Sequence, residues 1–115
     1  MSPTSVNLFD AEDLIFRMMG QEDLARVVAA SFLEDAPLQL TALVRAAEMG
    51  DLTAVQLAAH ALKGASGNVG SPRVYRLSSR IEAIAGEGRV PRELLPELCG
   101  AIAALHAVVS AFIAG

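Results

Sequence analysis

The chain of 115 residues is long enough for one domain with a single hydrophobic core and too short for two of ordinary size. Hydrophobic residues make up 53% of the sequence and aromatic residues only 4%, which predicts an all-α domain. The formal net charge of −4 argues against nucleic-acid binding, and charges that interrupt the apolar runs predict a soluble, cytoplasmic protein without a membrane span. We expect no cofactor and no metal, because the two histidines lie on different predicted helices without an obvious ligand set.

The N-terminal part predicts a short helix over residues 10–19, preceded by a flexible segment at residues 1–7. Asp10 is a typical N-cap residue, because its short side chain can accept a hydrogen bond from the first helical turn. The apolar residues Leu14 and Met18 are expected to seal one end of the fold. We therefore interpret this helix as a lid.

Four longer helices follow, separated by glycine, proline and capping residues. Apolar residues recur at three- and four-residue spacing in each of them, as in helices that bury one face. Their predicted ranges are 21–49, 51–70, 72–86 and 92–114. Pro37 is expected to kink the first, and Pro96 is expected to delay the regular part of the last by a turn. Short connections between four such helices predict an antiparallel up-down-up-down four-helix bundle.

Residues 58–72, AAHALKGASGNVGSP, place three glycines and a histidine in an otherwise helical pattern. The apolar stripe of this helix turns His60 to solvent. The residues that share its face are Gln56, Lys63, Gly64 and Gly67. A glycine inside a helix costs roughly 0.5 to 1 kcal/mol relative to alanine, so two on one exposed face indicate a partner that approaches closely. The alternative is that Gly64 ends the helix and the residues after it form a loop.

Residues 52–81 contain four basic side chains and no Asp or Glu, which leaves −8 for the remainder of a chain whose net charge is −4. Lys63 is the only lysine, against eight arginines, and it follows His60 by three residues. A compact, rotatable ammonium suits this position. The other three, Arg73, Arg76 and Arg80, form either an ordinary solvated face or the rim of a docking surface.

The stretch AHALKGASGNVG resembles the signature of the histidine-containing phosphotransfer (HPt) domain, in which a histidine is followed by Leu-Lys-Gly, a small hydroxyl residue and a further glycine. FLEDAPLQLTALVRAAEMGDL is similar to the second helix and turn of bacterial members, and FDAEDLIFRMMGQEDL is similar to their lid helix. The resemblance covers most of residues 8–88. The C-terminal helix matches only as an amphipathic element.

The resemblance implies a phosphoryl carrier in a multistep two-component relay. His60 would accept a phosphoryl group on its outer ring nitrogen from the aspartyl phosphate of a receiver domain and pass it to another receiver. Lys63 takes the family's role of neutralising phosphate charge, and Gly64 that of leaving room for the receiver. Glu82 stands where many members have glutamine, and it would accept a hydrogen bond from the inner ring nitrogen of His60.

The resemblance also implies receiver domains and their parent hybrid histidine kinase as partners of a monomeric protein. The expected partner contacts are Gln56, Gly64, Gly67, Arg76, Leu14 and Met18. Two alternatives remain: a phosphoacceptor domain of a larger hybrid or chemotaxis-type histidine kinase, and a degenerate adaptor that binds receivers without chemistry. We expect a carrier and not a kinase, because the chain has no glycine-rich phosphate loop. His106 has no neighbouring glycine or lysine and is expected to be an ordinary surface residue.

Overall fold

The computed structural model describes the backbone of residues 3–115 and the side chains of residues 6–115. Every regular element in this range is helical, which confirms the all-α prediction. The elements are α1 (Pro3–Leu8), α2 (Ala11–Arg17), α3 (Glu22–Met49), α4 (Leu52–Val69), α5 (Pro72–Gly86), a 3₁₀ helix (Arg92–Leu94) and α6 (Leu95–Ala114).

The N-terminal region differs from the prediction in two ways. Of residues 1–7, expected to be flexible, the first two lie outside the described residues, and the others belong to α1, a helix that the sequence pattern does not predict. The helix predicted over 10–19 corresponds to α2, which is shorter. It ends early because Met19 and Gly20 both have positive φ angles, 59° and 79°, which a right-handed helix cannot continue.

Short polar side chains begin α2, α4 and α5, as their sequence positions indicate. Asp10, Asp51 and Ser71 each accept a hydrogen bond from the backbone N–H three residues later, at 3.0, 3.1 and 3.3 Å. Gly50 and Gly70 end α3 and α4 in the left-handed conformation, with φ of 69° and 92°. These local signals explain why the breaks between the long helices are predictable.

The four long helices surround one core. Helix α4 packs against α3 and α5, and α6 packs against the same two neighbours. Each helix contributes fully buried side chains, among them Leu43, Leu62, Ile81 and Leu105. Burial of such side chains contributes roughly 1.5 to 3 kcal/mol each, so this core holds α4 and α5 in the register on which the site depends.

Pro37 and Pro96, the two prolines expected to disturb helices, lie within α3 and α6. Helix α3 continues through Pro37 as a single helix of 28 residues. The last segment begins as the 3₁₀ helix and becomes α-helical at Leu95, one residue before Pro96, in agreement with the expected delay. Proline is tolerated there because the first turn of a helix leaves its N–H groups unpaired.

Two helical stretches are long and apolar enough to cross a membrane by length and composition alone. They are Glu22–Met49, with a mean hydropathy of 1.3, and Arg92–Ala114, with 1.8. From the sequence, charges are expected to interrupt each apolar run before it reaches the length of a membrane span. The last helix corrects this expectation, because residues 98–115 carry no charged side chain. Both stretches supply core side chains to the fold, such as Leu43 and Leu105.

Candidate functional site

His60 lies midway along α4 on its outward face, with 68% of its side chain exposed. Ala58, Ala59 and Leu62 point into the core instead, so the helical phase agrees with the predicted one. The helix continues to Val69, and the alternative that Gly64 ends it is therefore wrong.

Glu82 of α5 joins two side chains of α4. Its Oε2 lies 2.8 Å from Nδ1 of His60, and its Oε1 lies 2.8 Å from Nζ of Lys63. The hydrogen bond from Lys63 lowers the pKa of the Glu82 carboxyl below its ordinary value of 4.5, and the hydrogen bond from His60 lowers it further. The same contact with Glu82 raises the pKa of Lys63 above 10.5. The carboxylate and the ammonium are thus both charged at neutral pH.

The tautomer of His60 follows from this arrangement. An ionised carboxylate has no proton to donate, so Nδ1 of His60 donates and Glu82 accepts. With the proton on Nδ1, the lone pair of the neutral ring is on Nε2. In the part of the chain that the structure describes, no hydrogen bond engages Nε2. The accessible nitrogen is therefore also the nucleophilic one.

The sequence position of Lys63 suggests an unpaired ammonium beside His60, but the structure shows it paired with Glu82. Its ammonium is turned towards Glu82, and only 26% of its side chain is exposed. The sequence assigns Lys63 and Glu82 separate roles, whereas the structure makes them an ion pair. An anion bound at Nε2 would compete with Glu82 for this ammonium.

The two glycines on the His60 face differ in their surroundings. A Cβ at Gly64 would meet no atom within 4 Å, so internal packing does not require glycine there. A Cβ at Gly67 would lie 3.3 Å from Cδ2 of Tyr75, so glycine lets the ring pack closely. Gly67 thus has a role within the fold. Tyr75 is a neighbour of the site that the sequence reasoning missed, although it is the only tyrosine in the chain.

The lid contacts require a correction. Leu14 is fully buried, which agrees with its expected sealing role but means that in this position it cannot be the expected partner contact. Met18 is half-buried against the core. The exposed apolar side chains of this segment are Phe16 and Met19, at 80% and 86%. A helix of seven residues has too few turns for its apolar pattern to separate inward from outward positions.

Two other predicted contacts take no part in the hydrogen bonds that join His60, Lys63 and Glu82. Gln56 is half-buried, and its amide nitrogen lies 2.9 Å from where a Cβ of Gly86 would be. Arg76 precedes Glu82 by six residues on α5, so its side chain lies roughly 120° around the helix from that of Glu82. The guanidinium of Arg76 donates to the side chain of Asn7.

Leu57 is a further side chain beside His60 that the sequence reasoning did not name. It is 68% exposed and precedes His60 by three residues, which places the two on neighbouring positions of one face. An exposed leucine at this spacing is the signal that could have identified it.

Two hydrogen bonds fasten α2 to the end of α4. The N–H of Asp10 donates to the carbonyl of Gly70 at 2.8 Å, and the guanidinium of Arg17 donates to the carbonyl of Asn68 at 3.0 Å. Asp13 supports Arg17 through an ion pair of 3.0 Å. Helix α2 is therefore attached to the helix that carries His60.

Comparison with known proteins places this geometry in a family. The sequence model of the Hpt domain matches residues 27–111. The HPT domain from the Hpt sensor hybrid histidine kinase of Shewanella aligns with a TM-score of 0.86 and 18% identity, over 95% of this chain and 96% of that one. Histidine-containing phosphotransfer protein B (HptB) from Pseudomonas aeruginosa PAO1 aligns with a TM-score of 0.83 and 24% identity, over 91% and 93%. Among curated protein sequences, none matches significantly.

The two solved structures show the shared fold, and the sequence model shows the family. Hpt domains are phosphotransfer carriers of His-Asp phosphorelays, where they interact with receiver domains, and they are not kinases. They are typically soluble. Since the matched region includes the His60 helix and most of the chain, this protein belongs to the Hpt domain family.

Proposed function

We propose that this domain accepts a phosphoryl group on Nε2 of His60 from the aspartyl phosphate of one receiver domain and passes it to another receiver. The observation that carries the proposal is the 2.8 Å pair between Nδ1 of His60 and Oε2 of Glu82. This pair leaves a lone pair on the ring nitrogen that faces solvent. The proposed partners are receiver domains and their parent hybrid histidine kinase.

The transfer chemistry assigns a task to Glu82. The Nε2 lone pair attacks phosphorus, the P–O bond to the aspartyl carboxyl group breaks, and the carboxylate leaves with the bonding electrons. The ring keeps its Nδ1 proton and becomes positively charged. Glu82 faces that proton, so its carboxylate stabilises the charge as it develops. In the second transfer an aspartate of the other receiver attacks phosphorus, the N–P bond breaks, and the ring returns to its neutral state.

Lys63 and Gly64 complete the proposed site. The ammonium of Lys63 is held by Glu82 near the ring, so it can also approach the oxygens of a phosphoryl group on Nε2 and neutralise their charge. In-line transfer needs reacting atoms about 3 to 3.5 Å apart, so the receiver must come close to the helix surface. The open space over Gly64 allows that approach.

We also infer that the long helices are arranged up-down-up-down, with α2 as a lid. The two-residue connection at Gly50 and Asp51, and that at Gly70 and Ser71, support antiparallel neighbours. The hydrogen bond from Asp10 to Gly70 supports the lid. We further propose that the protein is a single, monomeric, cytoplasmic domain that carries phosphate and does not use ATP.

A second candidate is a phosphoacceptor domain of a larger histidine kinase, in which ATP bound to a kinase domain is the donor. The observation that favours a place within a larger kinase is the fold shared with a domain of a sensor hybrid histidine kinase, at a TM-score of 0.86. The two candidates use the same histidine and differ in the donor. Labelling from receiver aspartyl phosphate and from kinase-bound ATP therefore distinguishes them.

Substitution of the histidines tests the proposal. His60→Gln should fold normally and accept no label from receiver domains charged with radioactive acetyl phosphate, because glutamine has no nucleophilic ring nitrogen. The control is His106→Gln, since His106 is exposed on α6 and should not matter. The label on the wild type should be stable in alkali and labile in acid. Label that persists on His60→Gln would refute the assignment, and a wild type that binds receivers without accepting label would favour the adaptor alternative.

A further inference from the structure

A groove on another side of α5 gathers three arginine side chains. It has a volume of about 420 Å³. The residues that line it are Asn7, Arg73, Arg76, Leu77, Arg80 and Glu97. We call it the arginine groove. Leu77 is 5% exposed and belongs to the core, so the rest of the lining is polar or charged.

The lining of the arginine groove is net positive, because three guanidinium groups share it with the single carboxylate of Glu97. None of its three guanidinium groups forms an ion pair within 4.0 Å with a carboxylate of the described residues, and Glu97 makes no such pair either. By contrast, Arg17 and Arg89 each pair with an acidic residue four positions away. Among the residues whose side chains the structure describes, the one side-chain acceptor of the groove arginines is the neutral amide of Asn7, which accepts from Arg76. Residues 1–5 contain no acidic side chain that could supply the missing charge.

The arginine groove is separate from the proposed transfer site. Arg73, Arg76 and Arg80 lie roughly 120° to 180° around α5 from Glu82, at about 100° per residue. Glu82 is the residue through which α5 contacts His60. The arginines instead face α1 and α6, which pack on this side of α5 and contribute the polar walls of the groove. A molecule seated there would leave His60 uncovered.

The spacing of the arginines indicates the shape of the ligand. They follow one another at positions i, i+3 and i+7, so their Cα atoms extend over roughly 10 Å along the helix axis. This row is much longer than one phosphate or carboxylate group. A helix with acidic side chains at the same spacing presents a carboxylate to each guanidinium, and the planar guanidinium binds carboxylates in two-pronged geometry. We propose that the arginine groove is a second docking surface, which binds an acidic helix of a partner protein while His60 remains free for transfer.

A peptide-binding experiment tests this surface. The probe is a fluorescein-labelled alanine-based helical peptide with glutamates at i, i+3 and i+7, and the control peptide has the same composition with its glutamates spread around the helix. The patterned peptide should bind the wild type more tightly, and salt should weaken the binding. Arg80→Glu should lower the affinity about tenfold. Arg45→Glu is the matched control, because Arg45 is an exposed arginine of α3 without an ion pair to the described residues, and it should change the affinity less than about twofold.

Three results would overturn the proposal. Equal affinities for the two peptides, or equal losses in Arg80→Glu and Arg45→Glu, would show attraction to net charge alone. Saturating peptide should also leave the labelling rate of wild-type His60 unchanged, and inhibition would place the peptide on the transfer site. If Arg80→Glu fails to fold by circular dichroism, Arg80→Gln replaces it, with Arg45→Gln as its control. The binding measurements need no phosphorylation, so they stand whether or not His60 carries phosphate.

Discussion

Glu82 uses both of its carboxylate oxygens, one for the imidazole of His60 and one for the ammonium of Lys63. A glutamine here could still accept a hydrogen bond from Nδ1, but its amide would bring no negative charge. The difference matters for chemistry that makes the ring positive. A carboxylate favours that charged state, whereas an amide only orients the ring.

Titration of Lys63 tests whether the ion pair forms in solution. The chain has one lysine, so reductive methylation with ¹³C-formaldehyde labels only Lys63 and the N-terminal amine for NMR. The pKa of Lys63 is raised by the hydrogen bond and charge of Glu82, so the ammonium stays protonated to higher pH than an isolated lysine. In Glu82→Gln that contribution is gone, and the titration of Lys63 should move to lower pH.

The N-terminal amine is the internal control of this experiment, and its titration should be the same in both proteins. A Lys63 signal that titrates identically in the wild type and in Glu82→Gln would mean that the ion pair is absent in solution. The role of Lys63 would then have to rest on its sequence position alone.

Among the helices, α4 and α6 each contain an exposed glycine that packing does not explain. A Cβ at Gly64 or at Gly100 would meet no atom within 4 Å. Alanine is the better helix former, so Gly64→Ala and Gly100→Ala should each stabilise the domain by roughly 0.5 to 1 kcal/mol. Urea denaturation measures both changes. Destabilisation by either variant would contradict the helical environment described for that position.

Larger side chains separate the two glycines by function. Gly64 lies four residues from His60 on the same face, whereas Gly100 is on another helix. Gly64→Gln should fold but slow phosphoryl transfer by at least about tenfold, because its side chain holds the receiver away from the reaction distance. Gly100→Gln should transfer at the wild-type rate. Equal rates for the two variants would show that no partner approaches closely over Gly64.

The connection between α2 and α4 depends on a different glycine. Gly50 and Gly70 both end helices with positive φ, but only at Gly70 would a Cβ approach the carbonyl oxygen of Asp10, at 3.0 Å. Gly50→Ala should cost about 1 kcal/mol, the penalty for alanine in the left-handed region. Gly70→Ala should cost roughly 2 to 3 kcal/mol, since it also displaces the hydrogen bond from Asp10.

Urea denaturation of the two alanine variants compares these costs directly. Gly50→Ala is the matched control, because it changes the same backbone conformation without a neighbour. Equal losses of unfolding free energy would mean that the contact between Asp10 and Gly70 is absent in solution.

Across the whole molecule, the sequence predicts those features that depend on residues close together in the chain. Helix starts and stops follow from capping residues and glycines, and the outward position of His60 follows from helical phase. The pairing of Lys63 with Glu82 could not be predicted, because it depends on the register between two helices, which core packing sets. Helix α1 was missed because six residues with few apolar positions show no period.

The basic window of residues 52–81 is another feature that only the folded molecule explains. In the sequence it is one block of four positive charges beside His60. In the structure Lys63 is neutralised by Glu82, and the remaining three arginines line a groove on a different side of α5. Charge that is contiguous along the chain is therefore divided between two surfaces.

The contact between Tyr75 and Gly67 gives this domain an intrinsic optical reporter. The chain contains one tyrosine and no tryptophan, so its near-ultraviolet emission comes from a single ring. That ring is 44% exposed and rests on the helix of His60, two turns beyond the histidine. A receiver without tryptophan or tyrosine that covers this face would change the solvent contact of the ring, and fluorescence of the unlabelled protein could then follow docking in real time.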